Sequence, residues 1–116
     1  MIPLHQPALE PADFDAVTAS LRSGRLTMGT DLLAFEHAMA ERTRRPHAVG
    51  MASGSIAMEI ALKALGIGTG DEVLVSAFAY SSNVNAVLHV GARPVFVDAD
   101  PATLNMDVRK AEKAAT

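Results

Sequence analysis

The chain of 116 residues contains no cysteine and no apolar run long enough to cross a membrane. The first absence excludes disulfide bonds and thiolate metal ligands. The second means that we expect no membrane partner. The N-terminus has no basic segment followed by an apolar one, so we expect a cytoplasmic location. Apolar residues make up 49% of the sequence, which predicts a folded segment with one small core.

An excess of one sign of charge is also absent, since the formal net charge is -3 and acidic and basic residues are mixed along the chain. Electrostatics therefore gives no general attraction for nucleic acid, and we expect no nucleic-acid partner. The one basic cluster is Arg42, Arg44 and Arg45, which falls where a helix should end, a position that favours cations. The four histidines lack the spacing of a metal site, so we expect no metal.

Apolar periodicity predicts two N-terminal helices and then a parallel α/β segment. The first helix covers residues 11–23 and ends at Gly24, and the second begins with Thr30 as N-cap and carries Leu32, Phe35 and Met39 on one stripe. Short apolar runs at 47–51, 73–78 and 94–98 predict strands, separated by helices at 55–65 and 82–90. The first of these helices is apolar on most sides and is expected to be largely buried. Residues 107–116 predict the start of another helix, with no strand after it.

The triplet Ser53-Gly54-Ser55 lies between a predicted strand and a predicted helix. Ligands of open parallel sheets bind beyond the carboxyl ends of the strands, where helix N-termini present unpaired N–H groups. Glycine permits close approach of an anion, and serine hydroxyls donate hydrogen bonds, so the triplet is suited to a phosphate. An ordinary N-cap serine at a tight turn is the alternative, and the residues alone leave both open.

Tyr80 follows the next predicted strand, at the same edge of the sheet. Its ring can cover a flat heteroaromatic ligand there, or it can be a simple rim or core aromatic. An anion site after one strand and an aromatic residue after the next together suit a phosphorylated ring. The glycine-rich segment at 66–70 follows a helix and precedes a strand, the reverse of a dinucleotide-binding turn, so we interpret it as a connector.

A series of short segments matches a known family pattern in order and nearly without gaps, from Ile2 to the last residue. The matching segments are LRSG at 21–24, LT at 26–27 with Gly29, FE at 35–36, HAV at 47–49, SGS at 53–55, ALGIG at 64–68, GDEV at 70–73, NAV at 85–87, GA at 91–92, PVFVD at 94–98, DP at 100–101, Asn105 and Asp107. With these segments the sequence resembles the DegT/DnrJ/StrS family of sugar aminotransferases, which use pyridoxal 5'-phosphate on the aspartate-aminotransferase (type I) fold.

The resemblance implies that residues 1–116 are a truncated, N-terminal part of a type I large domain, with two helices followed by a βαβαβ segment. By position, Gly54, Ser55 and the backbone N–H of Ile56 would hold the cofactor phosphate. Tyr80 would stack on the pyridine ring. The turn that borders the sugar-nucleotide pocket would contain Leu26, Thr27 and Gly29.

The resemblance also implies the reaction: transfer of an amino group, with glutamate as the expected donor, to a keto group of a nucleotide-linked sugar by a homodimeric enzyme. No catalytic residue of the family falls within the chain, because the lysine that binds the cofactor covalently lies downstream; Lys63, Lys110 and Lys113 do not match it. Two alternatives stay open. One is a keto-deoxysugar dehydratase of the same family, and the other is a non-catalytic chain that binds only a phosphate or a partner subunit.

Some residues depart from the family pattern. Ser55 stands where threonine is usual and keeps the hydroxyl, so the cofactor expectation is unaffected. Arg25 replaces a common aromatic residue and Thr30 a common proline, which affects the expected substrate contacts. Asn85 matches a recurrent asparagine that we interpret as structural, fixing the helix after Tyr80.

Overall fold

A computed structural model describes residues 2–3 and 5–115, which form two compact units, Met1–Gly50 and Met51–Thr116. The first unit contains helices α1 (Pro11–Ser23) and α2 (Thr30–Thr43). The second contains, in chain order, α3 (Gly54–Ala64), β1 (Glu72–Ser76), α4 (Ser81–His89), β2 (Arg93–Val97) and α5 (Val108–Ala114). In the described part of the chain, no helix is long and apolar enough to cross a membrane.

Helix α1 has the predicted bounds because both of its ends carry strong local signals. Pro11 occupies the first turn, where its missing N–H costs nothing. The backbone N–H of Glu10 donates to the Asp13 carboxylate at 2.8 Å. Gly24 ends the helix in the left-handed conformation, with φ 69°. The apolar side chains at Phe14 and Val17 are each 60% exposed within the described structure.

Helix α2 begins one residue earlier than predicted, and its packed face differs from the predicted stripe. The N–H of Leu33 donates to the carbonyl of Gly29 at 3.2 Å, which makes Gly29 the N-cap and Thr30 the first helical residue. The assignment of Thr30 as the cap was therefore wrong. Phe35 is 56% exposed, whereas Leu32 is half-buried together with Glu36 and Ala40, which lie four and eight residues after it.

The strand predicted at residues 47–51 does not form. A strand needs a ladder partner, and no strand in residues 2–3 and 5–115 pairs with this segment. Its backbone is held to α2 instead, because the N–H of Gly50 donates to Glu36 Oε1 at 2.7 Å. Gly50 also lies close to Leu32, since a Cβ atom placed on Gly50 would come within 2.5 Å of Leu32 Cδ1.

The second unit is a parallel β-α-β arrangement around a small apolar core. Strands β1 and β2 pair in parallel, from Glu72 opposite Arg93 to Ser76 opposite Val97, so the predicted βαβαβ order is βαβ among the described residues. Each strand begins one residue before the predicted start. The core is formed by the following buried side chains: Val75, Val87 and Ala92, with Leu62, Ile67, Val73, Val84 and Val90 packed around them.

Helix α3 is packed mainly against α4 and contains no buried residue, so the prediction that it is largely buried was wrong. Ile56 and Ile60 remain 43% and 42% exposed, because the described residues cover only one side of the helix. Helix α4 is better covered, with Ala86 3% and Val87 2% exposed. Gly91 follows it with φ 81°, a conformation that allows the chain to turn directly into β2.

Helix α5 confirms the helix predicted in the C-terminal segment. Asp107 is its N-cap, and the side chain accepts hydrogen bonds from the N–H groups of Arg109 at 3.0 Å and Lys110 at 3.4 Å. The predicted range extended to residue 116, which lies outside the described residues.

The bond between Glu36 and Gly50 is expected to stabilise the first unit. Replacing Glu36→Ala leaves a partly buried N–H without an acceptor, which should lower the free energy of unfolding by about 1–3 kcal/mol. Glu36→Gln keeps an acceptor oxygen and should lose less than half as much. Equal losses in the two variants, measured by denaturant unfolding, would contradict this role of the hydrogen bond.

Candidate functional site

Ser53 positions the candidate site by capping helix α3. Its backbone is extended, with φ -162° and ψ 162°, and its Oγ accepts a hydrogen bond from the Ile56 N–H at 3.3 Å. The alternative that Ser53 is an N-cap is therefore confirmed. The cap fixes where the first turn begins, and it occupies the Ile56 N–H, which the family resemblance assigns to the cofactor phosphate.

Gly54 and Ser55 form the open part of this first turn. Within the described residues, neither backbone N–H has a hydrogen-bond acceptor, and both residues are exposed. A Cβ atom placed on Gly54 would meet no other atom within 4 Å, and the φ of Gly54 is not positive. Nothing inside the described structure therefore requires glycine at this position. The space that its missing side chain leaves is open to a ligand from outside.

A small cavity of about 110 Å³ lies between α3 and α4 and is lined by residues from two distant parts of the chain. Ser55 and Ile56 line it from the first turns of α3, and Ser82 and Asn85 line it from the first turns of α4. The two helices therefore begin side by side. Since each helix N-terminus carries partial positive charge, this end of the second unit favours an anion. The structural role of Asn85 remains a prediction.

Tyr80 lies immediately before α4 and is its N-cap residue, with φ -66° and ψ 141°. It comes four residues after the carboxyl end of β1, where the chain turns into the helix. Its side chain is 80% exposed. The ring does not line the small cavity, but it lies exposed at the N-terminal end of α4.

The predicted substrate residues lie in the first unit, in the turn between α1 and α2. Leu26 is 66% exposed, and Thr27 is exposed as well. Gly29 is the N-cap of α2, and an added Cβ would make a tight contact of 3.3 Å with the carbonyl oxygen of Thr27. The three residues thus share one exposed turn.

Glu59 also lines the cavity between α3 and α4, and two side chains lie within hydrogen-bond distance of its carboxylate. The Lys63 ammonium donates to Glu59 Oε1 at 2.7 Å across one turn of α3. His89 Nδ1 lies 3.1 Å from Glu59 Oε2. The hydrogen bonds from Lys63 and then from His89 hold the pKa of Glu59 below its ordinary value of 4.5. No sequence signal could have found the second link, which joins residues 30 positions apart.

Two carboxylates near the end of β2 have structural partners. Asp98 accepts a hydrogen bond from Lys110 at 3.0 Å, and the Asp100 carboxylate accepts from the N–H groups of the turn that follows it. In residues 2–3 and 5–115, no three His, Cys, Asp or Glu side chains converge as they would around a metal ion. The chemistry that the site does offer is recognition of an anion by N–H and hydroxyl donors.

Known proteins resemble the chain in sequence over nearly its whole length. The model of the DegT/DnrJ/EryC1/StrS aminotransferase family matches residues 7–116. The spore coat polysaccharide biosynthesis protein SpsC of Bacillus subtilis is 42% identical over 99% of the chain, and the UDP-4-amino-4-deoxy-L-arabinose–oxoglutarate aminotransferase of Shewanella sediminis is 39% identical over 99%. The chain spans only about 30% of the length of either relative.

A solved structure extends the comparison to the fold. The PLP form of a Streptococcus pneumoniae protein described as a sugar aminotransferase superposes with a TM-score of 0.92 at 36% identity, over 99% of this chain and 29% of that one. The predicted fold class is thereby confirmed, including the assignment to an N-terminal portion. On the match of fold and of family model together, the chain belongs to the DegT/DnrJ/EryC1/StrS aminotransferase family.

Proposed function

We propose that the chain is the N-terminal part of an enzyme that uses pyridoxal 5'-phosphate to transfer an amino group from glutamate to a keto group of a nucleotide-linked sugar. Family membership supports amino transfer. The name of the Shewanella relative includes both an amino sugar nucleotide and oxoglutarate, and oxoglutarate is the keto acid that glutamate becomes when it gives up its amino group. Because the chain spans about 30% of that relative, the lysine that binds the cofactor is expected in a further segment of the enzyme.

The open first turn of α3 is the observation that carries this proposal. A phosphate placed there would accept hydrogen bonds from the N–H groups of Gly54 and Ser55 and from the Ser55 hydroxyl, in the positive field of the helix N-terminus. The bond from the Ile56 N–H to Ser53 is long, at 3.3 Å, so this N–H is suited to be shared between the cap and the phosphate. The missing side chain of Gly54 leaves room for the approach.

Tyr80 supports the same cofactor at its other end. An exposed aromatic ring before α4 is suited to cover one face of a pyridine ring whose phosphate is held at α3. When bound, pyridoxal phosphate supplies an electron sink and a temporary carrier for the amino group. The residues of this chain would orient the cofactor, excluding water from one face of its ring and neutralising its phosphate.

The substrate residues complete the proposal. We assign the exposed turn with Leu26, Thr27 and Gly29 to the pocket for the nucleotide-linked sugar. The whole enzyme is proposed to be a cytoplasmic homodimer.

The direct test of the proposed reaction is to mix the full-length protein, loaded with pyridoxal phosphate, with glutamate alone. One equivalent of 2-oxoglutarate per active site is expected, and its absence would overturn the proposed reaction.

Gly54→Val tests the phosphate position. The added side chain would fill the open space beside the first turn, and loss of charged hydrogen bonds should weaken cofactor binding by at least about tenfold. Equilibrium dialysis of the full-length protein with pyridoxal phosphate measures the effect. The apo-protein should unfold at nearly the same temperature as the wild type, because the new Cβ meets no atom within 4 Å. Unchanged cofactor affinity would place the phosphate elsewhere.

Tyr80→Ala tests the ring position. Removing the ring should weaken cofactor binding and shift the absorption band of bound pyridoxal phosphate, because one face of the cofactor becomes exposed to water. Tyr80→Phe, the matched control, keeps the ring and should keep both the affinity and the band. If the alanine variant has the spectrum and affinity of the wild type, Tyr80 does not cover the cofactor.

A further inference from the structure

Glu59 joins helix α3 to helix α4 by a charged hydrogen-bonded link. One carboxylate oxygen binds Lys63 in the same helix at 2.7 Å, and the other lies 3.1 Å from His89 Nδ1 at the end of α4. The Glu59 side chain is 19% exposed, against 53% for Lys63 and 64% for His89. The carboxylate is thus the inner member of the cluster, and His89 is its only partner across the two helices in the described part of the chain.

The link lies next to the first turns that form the candidate site. Glu59 comes one helical turn after Ser55, on the same face of α3, and both residues line the small cavity between the helices. His89 lines that cavity from the last turn of α4.

We propose that Glu59 is a positioning residue, which through His89 fixes α3 against α4 and so sets the spacing between the phosphate-binding turn of α3 and Tyr80 at the start of α4. This inference rests on the proposed function, because it is the geometry of that site that the link would hold. Glu59 does not need to touch the cofactor. Its effect would act through the fraction of molecules in which the first turn of α3 and Tyr80 have the spacing that binds the cofactor.

The size of the effect follows from the exposure of the pair. His89 is largely exposed, so the link is screened by water and is comparable to a surface ion pair. Its loss should weaken cofactor binding by up to about fivefold, far less than loss of a direct phosphate donor. A weaker cofactor affinity in an alanine variant cannot come from loss of helix propensity, because alanine is the most favourable residue in a helix interior.

The experiment measures the dissociation constant of pyridoxal phosphate for the full-length protein and hydrogen exchange of α3 in the apo-protein. Glu59→Ala and His89→Ala should each weaken binding by about twofold to fivefold and speed exchange in α3. The double variant should be no weaker than either single one. His89→Gln keeps an N–H donor toward Glu59 and should restore most of the affinity. Lys63→Ala, the matched control within α3, should bind as the wild type does.

The outcomes separate this inference from the proposed function. If the wild-type protein does not bind pyridoxal phosphate, the proposed function fails, and the inference fails with it. If the wild type binds but the Glu59 and His89 variants bind equally well, only the inference is overturned. Additive losses in the double variant, or no recovery with His89→Gln, would also overturn it, because the two residues would then act separately.

Discussion

The packing of helix α4 is the constraint on which the rest of the second unit depends. On the inner side of α4, Val87 packs with Val75 of β1 and with Ala92, which precedes β2. Val87 is 2% exposed. Ala86 next to it is 3% exposed and lines the cavity on the side of α3. Full burial of a valine contributes about 1.5–3 kcal/mol. The small alanine allows α3 to approach, so one helix holds both the strands and its neighbour in place.

This packing brings two separate stretches of sequence together at one end of the second unit. Gly54, Ser55 and Tyr80 all belong to the second unit. Because α3 and α4 begin side by side, the open N–H groups of Gly54 and Ser55 and the exposed ring of Tyr80 lie at the same end of that unit. Each feature alone is ordinary. In the first turn of α3, Ser53 accepts the hydrogen bond of the Ile56 N–H. The N–H groups of Gly54 and Ser55 have no acceptor within the described residues.

Local signals predicted much of the fold from the sequence. Pro11 and Gly24 determined both ends of α1, and continuous apolar runs identified β1 and β2 to within two residues at each end. The strand at residues 47–51 was predicted on the same grounds and is absent, because strand formation depends on a partner that the apolar run itself does not provide. The backbone N–H of Gly50, which a strand would pair with a neighbouring strand, donates to the Glu36 carboxylate instead.

The candidate site was predictable to a similar degree. The small residues at 53–55 and the aromatic residue after the next strand pointed to a phosphorylated ring, and the resemblance to a family supplied its identity. The sequence could not show that the Ile56 N–H is already bonded to Ser53, nor that Glu59 meets His89. Both depend on backbone direction and on helix packing, which no residue spacing encodes.

The most direct test of the central claim is a crystal structure of the full-length protein with pyridoxal phosphate. The account predicts phosphate oxygens at about 2.7–3.2 Å from the backbone nitrogens of Gly54 and Ser55, with the Tyr80 ring against one face of the pyridine. A phosphate bound away from the first turn of α3 would contradict it, whatever activity the enzyme has.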